Sequence, residues 1–318
     1  AVEVKVNERE WIARLRQQWK KIGDDAFCLE PGEEEGKVVV TTDVMVEGVH
    51  FRLDWESPVE IGWKIVARNL SDLAGMGAKP RYFLLSVAFP AGYSEDFLNA
   101  FRAGVEACCR EWDTEWVGGD TSFSASGWFL CGVALGYAEN PVSRSGARFG
   151  DKIVLTNTLG LPGLYLEMRK RGVEIPPDLE QKKSRPIPRV KEGLMIAPYA
   201  SSMIDISDGL SSELHRLAEE SKRGFFVEKE KIPIDPLVKE WAEKLGLDAL
   251  QLALSSGEEY QLLFTVSQED MEYLQVALPV ETGSHIVPLG TVGMPSGVFL
   301  VTDGEKNPLP ESGWLHSF

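Results

Sequence analysis

Histidine and cysteine are scarce in this 318-residue chain, with four of each. The cysteines, Cys28, Cys108, Cys109 and Cys131, form no C-x-x-C pair, and two of them are adjacent. That spacing argues against a zinc ligand set or a disulfide framework and fits reduced core thiols in a cytosol. No apolar run reaches the roughly 18 residues that a membrane span requires, so no membrane partner is expected. A charged-then-apolar leader is also missing, and the expectation is a cytoplasmic protein. Basic residues are the minority: 33 Lys and Arg stand against 49 Asp and Glu, a net charge of −16. Phosphate backbones are bound by Lys and Arg patches, so nucleic acid is not an expected partner. The G-x-x-x-x-G-K-[ST] loop, the protein-kinase H-R-D set and H-E-x-x-H are all absent, and "GGDTSFSASG" does not match G-x-G-x-x-G.

What is present suits a soluble globular chain: 43% apolar and 26% charged residues. Runs rich in β-branched and aromatic residues predict strands over 37–42, 82–90, 128–137, 152–157, 224–228, 260–266, 285–292 and 298–302. Helical periodicity predicts helices over 61–76, 95–112 (capped by Ser94), 211–222 and 236–245. Adjacent strands with intervening helices point to an α+β or mixed α/β fold. A Pro-, Gly- and Ser-containing stretch, Glu139 to Asp151, marks a domain boundary, giving domains 1–140 and 141–318. A second stretch, "IPPDLEQKKSRPIPRV", reads as a long loop.

Five aspartate-bearing turns carry the chemistry: "IGDDAF" (Asp24, Asp25), "TTDV" (Asp43), "NLSDLAGMGA" (Asp72), "VGGDTS" (Asp120) and "DISDGL" (Asp205, Asp208). Any one of them is ordinary, because aspartate caps helices and tightens bends. Together they suit magnesium, which takes hard oxygen ligands, one or two carboxylates per ion, with phosphates and water. Dispersed acids converging on one cleft would bind a polyphosphate through such ions. Strand alternation places Thr41 and Asp43 on one face, while the Thr42 carbonyl or hydroxyl could reach a second ion. Asp72 lies on a helix with a polar edge at Asn69 and Ser71. Gly118 and Gly119 allow close backbone approach to a ligand, or form a hairpin turn. Ser211 or Ser212 could cap the helix after Asp208, and a helix N-terminus favours phosphate. Asp208 could equally be an elaborate cap. His50 is the histidine near the acids; His215 and His285 read as structural. Glu47 also reads as structural. Glu258 and Glu259 stand in a turn after Gly257.

In this order the motifs resemble the thiamine-monophosphate kinase family, within the aminoimidazole ribonucleotide synthetase-like superfamily. The resemblance runs from about Gly23 to the C-terminus. It rests on "GDDAF", "TTDVMVEGVHF", "IGWKIVARNLSDLAGMGAKPR", "GGDTS", "RSGARFGD", "MIDISDGLSSELHRLAEES" and "SSGEEYQLLFT". It implies a two-domain fold whose N-terminal sheet pairs in a homodimer, with ATP and several Mg²⁺ between an N-terminal and an α+β C-terminal domain. It further implies that Asp25, Thr41, Thr42, Asp43, Asp72, Asp120, Asp205 and Asp208 hold metal, with Asp43, Asp72 and Asp120 the catalytic acids. Gly119, Asp120, Arg144 and Ser207 would contact ATP. His50, Glu258 and Trp314 would contact thiamine monophosphate. The chain departs from the family pattern at Phe123, at Asn157 and Leu161 in "TNTLGLPG", and at Ser256 in "SSGEE". Rival readings are a purine-synthesis ligase of the same superfamily and a non-enzymatic nucleotide-binding paralogue.

Overall fold

The computed structural model describes residues 36–314. They fall into two compact units. The first contains residues 36–73, Ala78–Glu139 and Ser184–Pro186; the second contains Ala74–Gly77, Asn140–Lys183 and residues 187–314. Among the described residues no helix is long and apolar enough to cross a membrane.

The first unit runs β1 (Lys37–Val46), α1 (Pro58–Gly75), β2 (Lys79–Phe89), α2 (Glu95–Glu111), β3 (Glu115–Phe123) and β4 (Phe129–Ala138). The strands form one sheet in the order β1-β4-β2-β3. β2 and β3 pair in parallel and the other neighbours are antiparallel. The β-branched run of β1 favours a strand. Its alternation buries Met45 on one face and leaves Val38, Val40 and Val44 exposed on the other. Ile61, Ile65, Leu70 and Leu73 of α1 are buried. α2 begins where expected: Ser94 Oγ accepts from the Phe97 N–H at 3.2 Å, a cap worth about 1 kcal/mol. Trp128 pins the start of β4 to α2, stacking on Phe89 at 5.0 Å and meeting Phe101 edge-on at 5.3 Å. Burying rings of this size stabilises by about 1.5–3 kcal/mol each.

The second unit runs β5 (Lys152–Thr156), α3 (Leu161–Lys170), α4 (Pro177–Ser184), α5 (Val190–Ile196), β6 (Ser202–Asp205), α6 (Leu210–Ser221), β7 (Gly224–Glu228), α7 (Pro236–Leu245), α8 (Ala249–Ser255), β8 (Leu262–Val266), α9 (Gln268–Thr282), β9 (Ile286–Gly293), β10 (Gly297–Thr302) and β11 (Glu305–Pro308). Its strands form a seven-stranded sheet in the order β11-β10-β7-β9-β5-β8-β6. Ile153, Leu155, Ile204, Leu210, Leu214, Phe225 and Leu263 form its main core. A smaller cluster gathers Leu164, Met168, Leu179 and Val238.

The mixed helix and sheet content matches the fold class read from the sequence. Three local readings change. "VGGDTS" is no hairpin turn but part of β3. The stretch 175–190 is not all loop, because it contains α4. That helix has an almost wholly polar sequence, so no amphipathic period announces it; Leu179 buries it and Arg169 pairs with Glu180 at 3.2 Å. Finally, neither Ser211 nor Ser212 caps α6, which starts at Gly209 without a side-chain cap.

Candidate active site

In the first unit the acids are presented by β1 and α1. Thr41 and Asp43 share the face that looks onto α1. The Thr41 hydroxyl donates to the Asp72 carboxylate. The Asp43 N–H donates to Asn69 Oδ1 at 3.1 Å, and Arg68 Nη2 donates to Asp43 Oδ1 at 3.3 Å. Asn69 is itself fixed, its Nδ2 donating to the Ile65 carbonyl at 2.8 Å. Residues 65, 68, 69 and 72 lie one helical turn apart, so a single face of α1 reads the end of β1. Arg68 and Asn69 carry no functional assignment from sequence, although their i, i+4 and i, i+3 relations to Asp72 were the available signal. Thr42 points to the other face, where its hydroxyl donates to the Gly132 carbonyl at 2.9 Å; a metal role for it would rest on its carbonyl.

Asp43, Asp72 and Thr41 supply hard oxygen donors of the kind magnesium takes. Among the described residues no three His, Cys, Asp or Glu side chains form a complete cage. Asp25 lies outside the described residues.

Asp120 is elsewhere. It sits exposed on β3, the edge opposite β1, with its Oδ1 accepting from the Thr121 N–H at 2.9 Å. Asp120 pairs with Ser86, Ser86 with Cys131 and Cys131 with Val44. Directly paired residues share a face, so Asp120 lies on the face of Val44, not of Asp43. Gly119 is demanded by the sheet itself. With φ +152°, a Cβ there would lie 1.8 Å from the Leu85 carbonyl oxygen.

His50 sits in the turn after β1. Its Nδ1 accepts from the Val46 N–H at 3.0 Å, which places the proton of the neutral ring on Nε2. Buried Lys64 donates to the His50 carbonyl at 2.6 Å and pairs with Glu56 at 3.4 Å. Glu47 is structural, its Oε2 accepting from the Trp128 N–H at 3.0 Å.

In the second unit β6 ends at buried Asp205, and the turn that follows is the hub. The Ser143 carbonyl, beside exposed Arg144, accepts from Met203 N–H at 3.2 Å. The Ser207 carbonyl accepts from Glu258 N–H at 2.8 Å, and the Asp208 carbonyl from Trp314 N–H at 3.0 Å. Backbone pairing thus brings together Ser207, Asp208, Glu258 and Trp314. The Asp208 carboxylate takes Arg216 at 2.5 Å, and its N–H donates to Glu213 Oε1 at 3.1 Å. Burial pushes the Glu213 carboxyl up from its ordinary value, against the pull of Arg216.

The chain matches the family model of AIR synthase related proteins, N-terminal domain, over residues 23–138. It is 33% identical over 315 residues to the thiamine-monophosphate kinase of Pyrococcus abyssi, covering 98% of this chain and 96% of that one. The chain belongs to the thiamine-monophosphate kinase family. The Aquifex aeolicus thiamine-monophosphate kinase is 33% identical, with 93% of each chain covered. The crystal structure of the thiamine-monophosphate kinase from Stenotrophomonas maltophilia K279a shares 32% identity over 90% of each chain, at a TM-score of 0.81. A structure of AaThiL complexed with AMPPCP and TMP shares 31% identity over all of both chains, at a TM-score of 0.80.

The stretches "TNTLGLPG" and "SSGEE" meet in space. Gly160 begins α3 without a side-chain cap. Instead Glu259 Oε1 accepts from the Gly160 N–H at 2.6 Å, and Ser256 Oγ accepts from Gly163 N–H at 2.8 Å. Burial pushes the Glu259 carboxyl up to about 8. "TNTLGLPG" and "SSGEE" therefore form one capped helix start. Asn157, in the left-handed region at φ 53°, accepts from His285 N–H at 3.1 Å and donates to Gln261 Oε1 at 3.0 Å.

Proposed function

We propose that this chain transfers the γ-phosphoryl group of ATP directly and in line to thiamine monophosphate, giving thiamine diphosphate and ADP, with several Mg²⁺ ions. The observation that carries the reading is the meeting of Thr41, Asp43 and Asp72 between β1 and α1, in a chain of this family. A relative complexed with AMPPCP and TMP supports the same pair of substrates.

The acceptor phosphate is already mostly ionised near neutral pH, its second pKa being about 6. No side chain has to remove a proton from it. The difficulty is charge: unit like charges about 4 Å apart repel by roughly 4 kcal/mol at an effective dielectric near 20. Bound Mg²⁺ would neutralise phosphate oxygens. Asp43, Asp72 and Thr41 would hold ions in the first unit, joined by Asp25 and the Thr42 carbonyl. Asp205 and Asp208 would do so in the second. The Gly119 backbone, Asp120, Arg144 and Ser207 would position the nucleotide, Arg144 adding a fixed cation. His50 would donate from Nε2 to the acceptor, Glu258 would orient it, and Trp314 would stack on its cationic or aromatic ring. Positioning and charge neutralisation then account for the rate. In this scheme residues 1–140 form the ATP-, Mg- and dimer-forming domain, and 141–318 complete the ATP and acceptor site.

A homodimer belongs to the same reading. Within one chain Asp120 faces away from Asp43, so a second copy would have to bring its Asp120 to the first copy's Asp43. The face Asp120 shares carries Val38, Val40, Val44 and Phe129, all exposed and apolar, and large exposed apolar patches mark association surfaces.

Incubation with Mg-ATP and thiamine monophosphate, followed by separation of the products, tests the reading. Thiamine diphosphate and ADP in equal amounts are expected. ATP turnover that needs a different acceptor sinks it in favour of the purine-synthesis rival, and nucleotide binding without turnover sinks it in favour of the non-enzymatic one.

A further inference from the structure

Residues 309–314, after β11, form no helix or strand, yet α6 holds them along their length. His215 Nε2 lies 2.9 Å from the Leu309 carbonyl oxygen. Ser211 Oγ donates to the Pro310 carbonyl at 3.0 Å and accepts from the Ser312 N–H at 3.1 Å. Ser212 Oγ donates to the Ser312 carbonyl at 3.2 Å. Trp314 N–H then reaches the Asp208 carbonyl at 3.0 Å. The approach is close enough to exclude any side chain at Gly313. A Cβ there would lie 2.4 Å from Ser212 Oγ and 2.5 Å from the Asp208 carbonyl oxygen.

A serine caps a helix from the N-cap position, which Gly209 fills here, so Ser211 and Ser212 lie inside the first turn with their hydroxyls available to other partners. These two are buried and turn outward to another segment. A single hydroxyl, that of Ser211, acts as donor and acceptor to two peptide groups of that segment, which fixes its direction as well as its distance. Trp314 is 47% exposed, while its backbone is tied to the Asp208 turn.

We propose that Ser211 and Ser212 are positioning residues: they seat residues 309–314 on the Asp208 turn and so hold Trp314 where the acceptor binds. The consequence for catalysis rests on the reading above that Trp314 contacts thiamine monophosphate; the seating does not. Asp208 is assigned to a metal ion and Trp314 to the acceptor, yet the two share one hydrogen bond. Loosening the segment should therefore penalise the acceptor and spare ATP.

The test combines hydrogen exchange of the 309–314 amides with steady-state kinetics on S211A/S212A, W314A and the triple variant. In S211A/S212A the segment should exchange faster and the KM for thiamine monophosphate should rise about tenfold, the effect of losing roughly one hydrogen bond's worth of positioning. The KM for ATP should stay within about twofold, and the serine changes should add nothing in the W314A background, as expected of residues acting through one another. Unchanged exchange, or an equal KM rise on top of W314A, overturns the proposal. Faster exchange in S211A/S212A with a normal acceptor KM in W314A upholds the seating and overturns the assignment of Trp314, and with it the consequence for catalysis. Should S211A/S212A not fold, Gly313→Val crowds the same contacts from the other side, and the same exchange and KM outcomes apply.

Discussion

Asp43 and Asp120 stand on opposite faces and at opposite edges of one four-stranded sheet. Three strand spacings separate them, roughly 14 Å at about 4.8 Å each. β4 and β2 lie between, and the register sets Asp43 against Gly132 while Asp120 answers Val44 through Ser86 and Cys131. Within one chain the two carboxylates face away from each other.

Two inactive variants should therefore rescue each other. Asp43→Asn and Asp120→Asn should each lose most kinase activity while remaining folded. In a symmetric dimer whose sites each take Asp43 from one copy and Asp120 from the other, mixed dimers regain one intact site of two. Random exchange of subunits then restores about a quarter of the parent activity. A mixture as inactive as its components removes the shared site, and a near-normal kcat for Asp43→Asn at saturating Mg²⁺ removes the metal role of Asp43.

His50 should act on the acceptor alone. Its Nδ1 accepts from the Val46 N–H, which places the proton of the neutral ring on Nε2. His50→Ala should raise the KM for thiamine monophosphate about tenfold, the loss of roughly one hydrogen bond to a charged group. An equal or larger rise in the KM for ATP would place His50 on the wrong substrate.

Gly119 tests the sheet rather than the chemistry. A methyl group at this position meets the Leu85 carbonyl oxygen at 1.8 Å. Gly119→Ala should cost about 1–3 kcal/mol, the range for forced overpacking, read as a lower urea midpoint. An unchanged midpoint would mean that β2 and β3 separate freely there.

Glu259 makes stability depend on pH. Burial raises its folded value to about 8 from an ordinary value of 4.5. Between those limits the folded chain keeps a proton that the unfolded chain releases, so stability falls as pH rises through the window. Below the window the penalty is absent. Glu259→Gln keeps an acceptor for the Gly160 N–H and cannot titrate. Its urea midpoint should decline less than the parent's between about pH 5 and about pH 8. Parallel slopes for the two proteins would assign the dependence to other groups.

Much of the first site was legible locally. Thr41 and Asp43 share a face because strand side chains alternate, and Asp72 lies on a helix whose polar edge already included Asn69. Arg68 belongs to that edge by the same spacing, but its partner, Asp43, is 25 residues away in sequence, and nothing local names it. α4 shows the opposite failure. "DLEQKKS" has no apolar stripe, so its helix depends on Leu179 finding a distant core.

By itself the sequence determined residue chemistry and local geometry: which acids end strands, which helices start at Ser94, and, through motif order, which family the chain joins. Tertiary structure decided faces and partners. A strand's register comes from its neighbours' backbone hydrogen bonds, and a one-residue shift exchanges its two faces; only the pairing through Ser86 and Cys131 puts Asp120 away from Asp43. In the same way Ser211 and Ser212 carry a helix-capping pattern in sequence. They serve residues 309–314 instead, because that segment, about a hundred residues later, folds back within reach of their hydroxyls.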